Sequence, residues 1–131
     1  MSMRGTDILI IDSDTGYLRG LDGCIRSRLS VPAAIYLQTE PGICGYPGSR
    51  ESAAVVIVSE RALSWGGLAG FKRIIVLVED GNKDVAGAIR DAGVGEDAAV
   101  KLIGKYRPLK GLIDEVKLIV SEAAAEAGLQ M

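Results

Sequence analysis

Residues 53–63 read AAVVIVSERAL. Six apolar residues, Ala53–Val58, run without a polar break and then stop at Ser59, Glu60 and Arg61. A short β-branched run that is apolar at every position, not at alternate ones, is a strand covered on both faces. Such strands belong to the middle of a parallel sheet. In an open parallel sheet, ligands and chemistry gather at the carboxyl ends of the central strands. Ser59 and Glu60 therefore stand either where chemistry happens or where it has been lost.

The same kind of run recurs along the chain. Asp7–Ile11 (DILII), Ala33–Leu37 (AAIYL), Arg73–Val78 (RIIVLV) and Ala98–Ile103 (AVKLI after Ala98) are further strand candidates. Between them lie segments of helical period. Tyr17, Leu18, Leu21, Ile25 and Leu29 form one apolar stripe, preceded by the capping residues Asp12, Ser13, Asp14 and Thr15 and closed by Val31-Pro32. Lys83–Ala92 forms a helix stopped by Gly93. Pro108 opens a long helix with Leu109, Leu112, Ile113, Val116, Ile119 and Val120 on its apolar face. Arg61–Phe71 has helical spacing around Leu63 and Leu68, weakened by Gly66-Gly67. Thr39–Arg50, with Pro41, Pro47 and three glycines, reads as a loop.

Strands alternating with helices predict βαβ units with right-handed crossovers. The expected fold is α/β, a doubly wound five-stranded parallel sheet of flavodoxin/receiver-like strand order 2-1-3-4-5, with five helices. One domain over 1–126 is expected, with 127–131 a tail or the start of a linker; the Ala/Glu-rich SEAAAEAGLQM reads as a fraying helix end.

Composition limits the function. The 131 residues carry a net charge of −2 and a pI near 5.2, which argues against a phosphate-backbone binder. Histidine is absent, so the commonest general base and metal ligand is missing. Cys24 and Cys44 lack a paired or CxxC spacing and read as free thiols in a reducing compartment, Cys24 as a small core residue. No apolar run reaches a bilayer span, and the start reads as no signal peptide, so a cytoplasmic protein is expected. No P-loop pattern occurs.

Several stretches together resemble a response-regulator receiver domain. ILIIDSD is similar to the receiver's acidic first-strand ending. AAVVIVSE is similar to the strand that ends in the phosphorylated aspartate, and RIIVLVED to the strand that ends in Thr or Ser. DAGV and KYRPLKGLIDEV are similar to the corner after helix four and the Lys-Pro junction before helix five. A closer resemblance is to the degenerate receivers of TadZ/CpaE-type pilus-assembly ATPases of the MinD/ParA class. These resemble the chain in the DSD strand end and in a Lys-Tyr motif, here Lys105-Tyr106.

The resemblance implies roles position by position. Asp12 matches the first acid, and Ser13 stands where the metal-side acid belongs. Ser59 stands at the phosphoacceptor and Val78 at the switch hydroxyl. Lys105 matches the receiver lysine, with Lys101 in competition. Asp14 reads as a helix cap and Glu60 as a solvated acid at a helix start. A serine without an adjacent base is a weak nucleophile. The pocket Asp12, Ser13, Ser59, Val78 and Lys105 is thus expected to be degenerate.

The expectation is a non-enzymatic pseudo-receiver with no cofactor and no metal. It would be a protein-interaction, dimerisation or localisation module for a protein partner or for itself as a homodimer. It would bind no nucleic acid and enter no membrane, and an ATPase domain could follow in the parent chain. Leu109, Leu112, Leu118 and Ile119 are the expected interaction surface. Two other readings remain. One is a phosphorylatable receiver whose altered acid site uses Asp12, Asp14 and Glu60. The other is a flavodoxin-like nucleotide or flavin binder using TEPGICGYPGS, with Tyr46 or Trp65 stacking on the ring. The basic residues Lys101, Lys105, Arg107 and Lys110 read as a solvated face near Asp114 and Glu115.

Overall fold

The computed structural model describes residues 7–29, 33–41, 46, 53–79, 85–105 and 108–126. Five strands form one all-parallel sheet: β1 (Asp7–Ile11), β2 (Ile35–Gln38), β3 (Ala53–Ser59), β4 (Arg73–Val78) and β5 (Ala99–Gly104). Their order is β2-β1-β3-β4-β5. All seven residues of β3 are buried, as its unbroken apolar run requires of a central strand.

Alternation along the strands divides the interior into two cores. On one side Ile8, Ile10, Val55, Ile57, Ile75 and Leu77 meet Leu18, Leu21 and Ile25 of helix α1 (Thr15–Arg28) and Leu112, Val116 and Val120 of helix α3 (Leu109–Glu126). On the other side Leu9, Ile11, Val56, Val58, Ile74 and Val76 meet Leu63, Leu68, Phe71 and Val85. Each aliphatic side chain buried in this way contributes roughly 1.5–3 kcal/mol of transfer free energy.

Asp14 caps α1, its Oδ1 accepting the Tyr17 N–H at 3.0 Å. The helix ends at Arg28; Val31-Pro32 lies outside the described residues. After β3 the expected helix is cut short. A 3-10 helix spans Glu60–Trp65 and stops where Gly66 and Gly67 take φ of 69° and 79°, a conformation that continues no helix. Helix α2 (Val85–Asp91) is closed by Gly93 at φ 95°; Lys83 and Asp84 lie outside the described residues. The described residues therefore hold three α-helices and one 3-10 helix, not five helices. Helix α3 continues through Ser121–Glu126, with Ala123 and Ala124 buried, so this part of the tail belongs to the packed domain.

Candidate functional site

The carboxyl ends of β1, β3, β4 and β5 converge on a cluster of buried polar groups. Asp12 follows β1 and is held there by its N–H, which donates to the Gln38 carbonyl at 3.1 Å. Ser59 ends β3, Glu79 follows β4 and Lys105 follows β5. Asp12, Ser59 and Lys105 are essentially inaccessible. Continuing each strand's alternation puts all four side chains on the α1/α3 side of the sheet.

Lys105 organises the cluster. Its Nζ lies 2.8 Å from Asp12 Oδ2 and 3.8 Å from Glu79 Oε1. It also sits 4.9 Å from the centre of the Tyr17 ring, within cation–π range. The Tyr17 hydroxyl donates to the Lys105 carbonyl at 3.4 Å, and the Lys105 N–H donates to the Val78 carbonyl at 2.9 Å. Asp12 Oδ1 accepts the Asp14 N–H at 3.1 Å. A buried ammonium is thus enclosed by one buried carboxylate, one partly exposed carboxylate and an aromatic face. Lys101, its competitor for the receiver position, lies on β5 with its Nζ 2.9 Å from Glu115 Oε2.

Glu79 extends the charge sequence outward. Arg61 donates to both its oxygens, Nε to Oε1 at 2.7 Å and Nη2 to Oε2 at 3.0 Å. That paired hydrogen bond, with the Arg61 and Lys105 charges added, holds the Glu79 carboxyl below its ordinary value, although burial opposes the shift. The Glu79 N–H donates to Glu60 Oε1 at 2.9 Å. Glu60 is therefore no solvated helix-start acid: it ties the start of the 3-10 helix to the end of β4.

Two of the expected pocket positions need correction. Val78 packs toward the opposite core, because Ser59 is in register with Leu77 and the period of two brings Glu79, not Val78, to the site. Ser13 is exposed, next to Asp12 but outside the buried cluster. Asp12, Ser59 and Lys105 are brought to the same end of the sheet. The Ser59 hydroxyl is buried with no hydrogen-bond partner among the described residues. Sequence reasoning missed Glu79, Arg61 and Tyr17. Counting by two from the buried Leu77 would have found Glu79.

The expected interaction surface also divides. Leu112 is 2% exposed and belongs to the core beneath α3, so it offers nothing to a partner. It is buried because α3 packs on both β3 and α1, which needs a wider apolar stripe than one sheet face. Leu109 and Ile119 are partly buried against that core, whereas Leu118 is 53% exposed.

Other candidates have packing roles. The Tyr46 ring meets the Tyr36 ring edge-on at 5.2 Å and its hydroxyl donates to Asp7 Oδ2 at 3.0 Å. Trp65 packs against the second core, and Cys24 against the first. Cys44, Tyr106, Arg107 and most of TEPGICGYPGS lie outside the described residues. Lys110 lies 3.7 Å from Asp114, so the basic residues near β5 are distributed among separate acids.

No family model matches the chain, and no curated protein is similar to it in sequence. Among solved structures it is similar to the Mn(2+)-bound form of response regulator Rcp1. Identity is 15%, the TM-score is 0.54, and the match covers 88% of this chain and 92% of that one. At that identity the likeness is one of fold. The five-stranded parallel sheet in order 2-1-3-4-5, flanked by helices, is the receiver-like α/β fold that the strand pattern predicts.

Proposed function

We propose that this chain is a non-catalytic pseudo-receiver, a protein-interaction, dimerisation or localisation module of the cytoplasm. Its proposed client is a MinD/ParA-like pilus-assembly ATPase, carried in the same parent chain or met as a separate partner. The observation that supports this reading is the state of Lys105. Its ammonium is matched by Asp12 at 2.8 Å and Glu79 at 3.8 Å, while the central strand ends in a hydroxyl where a receiver carries its acceptor carboxylate.

The Rcp1 neighbour binds Mn²⁺. The residues here do not fit such an ion. Hard divalent cations take oxygen ligands, carboxylates above all. Asp12 Oδ2 faces Lys105 and its Oδ1 accepts the Asp14 N–H. Asp14 caps α1, Glu60 accepts the Glu79 N–H, and both Glu79 oxygens accept from Arg61. No group of three acidic or thiol side chains is placed to hold a metal among the described residues. Among those residues, too, no helix is long and apolar enough to cross a membrane.

The test is direct. The protein is incubated with Mg²⁺ and acetyl phosphate and its intact mass is recorded. In parallel, amide NMR spectra are recorded with Mg²⁺ and beryllofluoride. The expected result is no phosphoryl mass gain and no saturable shift at Asp12, Ser59, Glu79 or Lys105. Stoichiometric phosphorylation, or a saturable shift confined to those residues, would overturn the proposal in favour of a working receiver with an altered acid site.

A further inference from the structure

The outer edge of β5 is unusually bare. β5 is the outermost strand, hydrogen-bonded to β4 alone, and its first four residues are exposed. Val100 is 38% and Leu102 54% exposed. The cause is local. Helix α2 has only seven residues and packs on the 3-10 helix, leaving the side of β5 that carries Val100 and Leu102 uncovered. The usual protections of an edge are weak here. The register with β4 runs unbroken from Ala99 to Gly104, so no bulge turns the edge away. The charge of Lys101 is offset by Glu115 at 2.9 Å.

The backbone adds a directional observation. The N–H of Ala99 donates to Lys72 and that of Lys105 to Val78, both toward β4. Peptide groups alternate along a strand, so Val100, Leu102 and Gly104 present their N–H and C=O groups to the outer edge.

Resting on the reading of this domain as an association module, we propose that the occupant of this edge is a second copy of the chain. The two β5 strands pair antiparallel about a two-fold axis at Leu102, joining two sheets into one. Charge and hydrogen-bond matching select this partner and this register. Centred on Leu102, Leu102 faces its own copy, and Val100 and Gly104 face each other in hydrogen-bonded pairs. All three outward residues then both donate and accept. Lys101 faces Ile103. The register centred on Lys101 would set two lysines directly opposite, which is unfavourable. The register centred on Ile103 leaves Val100 outside the β5–β5 pairing.

Sedimentation velocity on the wild type, Leu102→Lys and Val100→Lys tests the interface. NMR on a mixed labelled and unlabelled wild-type sample tests the register. The wild type is expected to be a dimer, and each variant to dissociate at least about tenfold more readily with its thermal unfolding unchanged. An intermolecular contact between the α-protons of Lys101 and Ile103 is expected, because they form the close non-hydrogen-bonded pair. A wild-type dimer that both variants leave intact, or one lacking that contact, overturns the edge pairing while the association reading stands. A wild-type monomer that binds a MinD/ParA-like ATPase overturns the second copy but keeps the module. A monomer that takes up phosphate from acetyl phosphate overturns both.

Discussion

Replacing Lys105 with Met removes the ammonium while keeping most of the buried stem, so the loss is mainly electrostatic. Both side chains of the Lys105–Asp12 pair are at most 1% exposed. At the 2.8 Å separation and an effective dielectric constant of about 20, the gross Coulomb attraction is about 6 kcal/mol. Desolvation cancels much of that, and removing one partner of a buried pair typically costs about 3–5 kcal/mol. Asp12 keeps the Asp14 N–H in the variant, so the lower half of that range, about 3–4 kcal/mol, is expected. That is a large share of the roughly 5–15 kcal/mol that stabilises a domain of this kind. The assay is equilibrium urea unfolding at pH 7 on the wild type, Lys105→Met, Asp12→Asn and the double variant. The double variant should lose clearly less than the two single losses added, with a coupling of about 2 kcal/mol or more. A Lys105→Met loss below about 1 kcal/mol, or additivity within about 0.5 kcal/mol, would refute the reasoning, because the pair would then be solvated in solution.

Two further measurements probe the surroundings. Glu79 has a folded-state pKa held below its ordinary value of 4.5, foremost by the hydrogen bond from Arg61. A depressed carboxylate stabilises the fold above its unfolded pKa, and the contribution is lost as pH falls through the folded value. The advantage of the wild type over Glu79→Gln should therefore be constant near neutrality and shrink from about pH 4.5 downward, read from urea midpoints across an acid series; a pH-independent difference would contradict it. Leu112→Ala should cost about 2–5 kcal/mol and Leu118→Ala less than about 0.5 kcal/mol in the same unfolding assay, and similar losses in both would contradict the placement of Leu112 in the core.

The strands were legible because burial on both faces leaves an unbroken apolar run, and β1 and β4 begin and end where those runs do. The parallel order followed from the alternation of strands and helices. The crossover after β3 was less legible. Leu63 and Leu68 keep helical spacing, yet both are buried from two different conformations, a 3-10 turn and an irregular segment separated by Gly66 and Gly67. Spacing records which residues face inward, and two left-handed glycines can change the path between them without changing the pattern.

The site was legible by type but only partly by position. Asp12, Ser59 and Lys105 stand at strand ends, where an apolar run meets a polar residue. Val78 was a motif-based choice, and strand geometry overrules it: a side chain one residue along a strand faces the other core. The partners of Lys105 were not legible at all, because Asp12, Tyr17 and Glu79 reach it from three separate elements. Their combined effect bears on function. Asp12 and Glu79 offset Lys105 and Arg61 within the folded chain, so the charge an external phosphoryl group would supply to a receiver is already supplied by carboxylates belonging to the protein. In a pocket balanced in that way, a change of state needs breakage of a buried pair, at a cost comparable to the stability of the domain. That cost is the physical argument for a scaffold held in one conformation, with its surfaces rather than its pocket free to act.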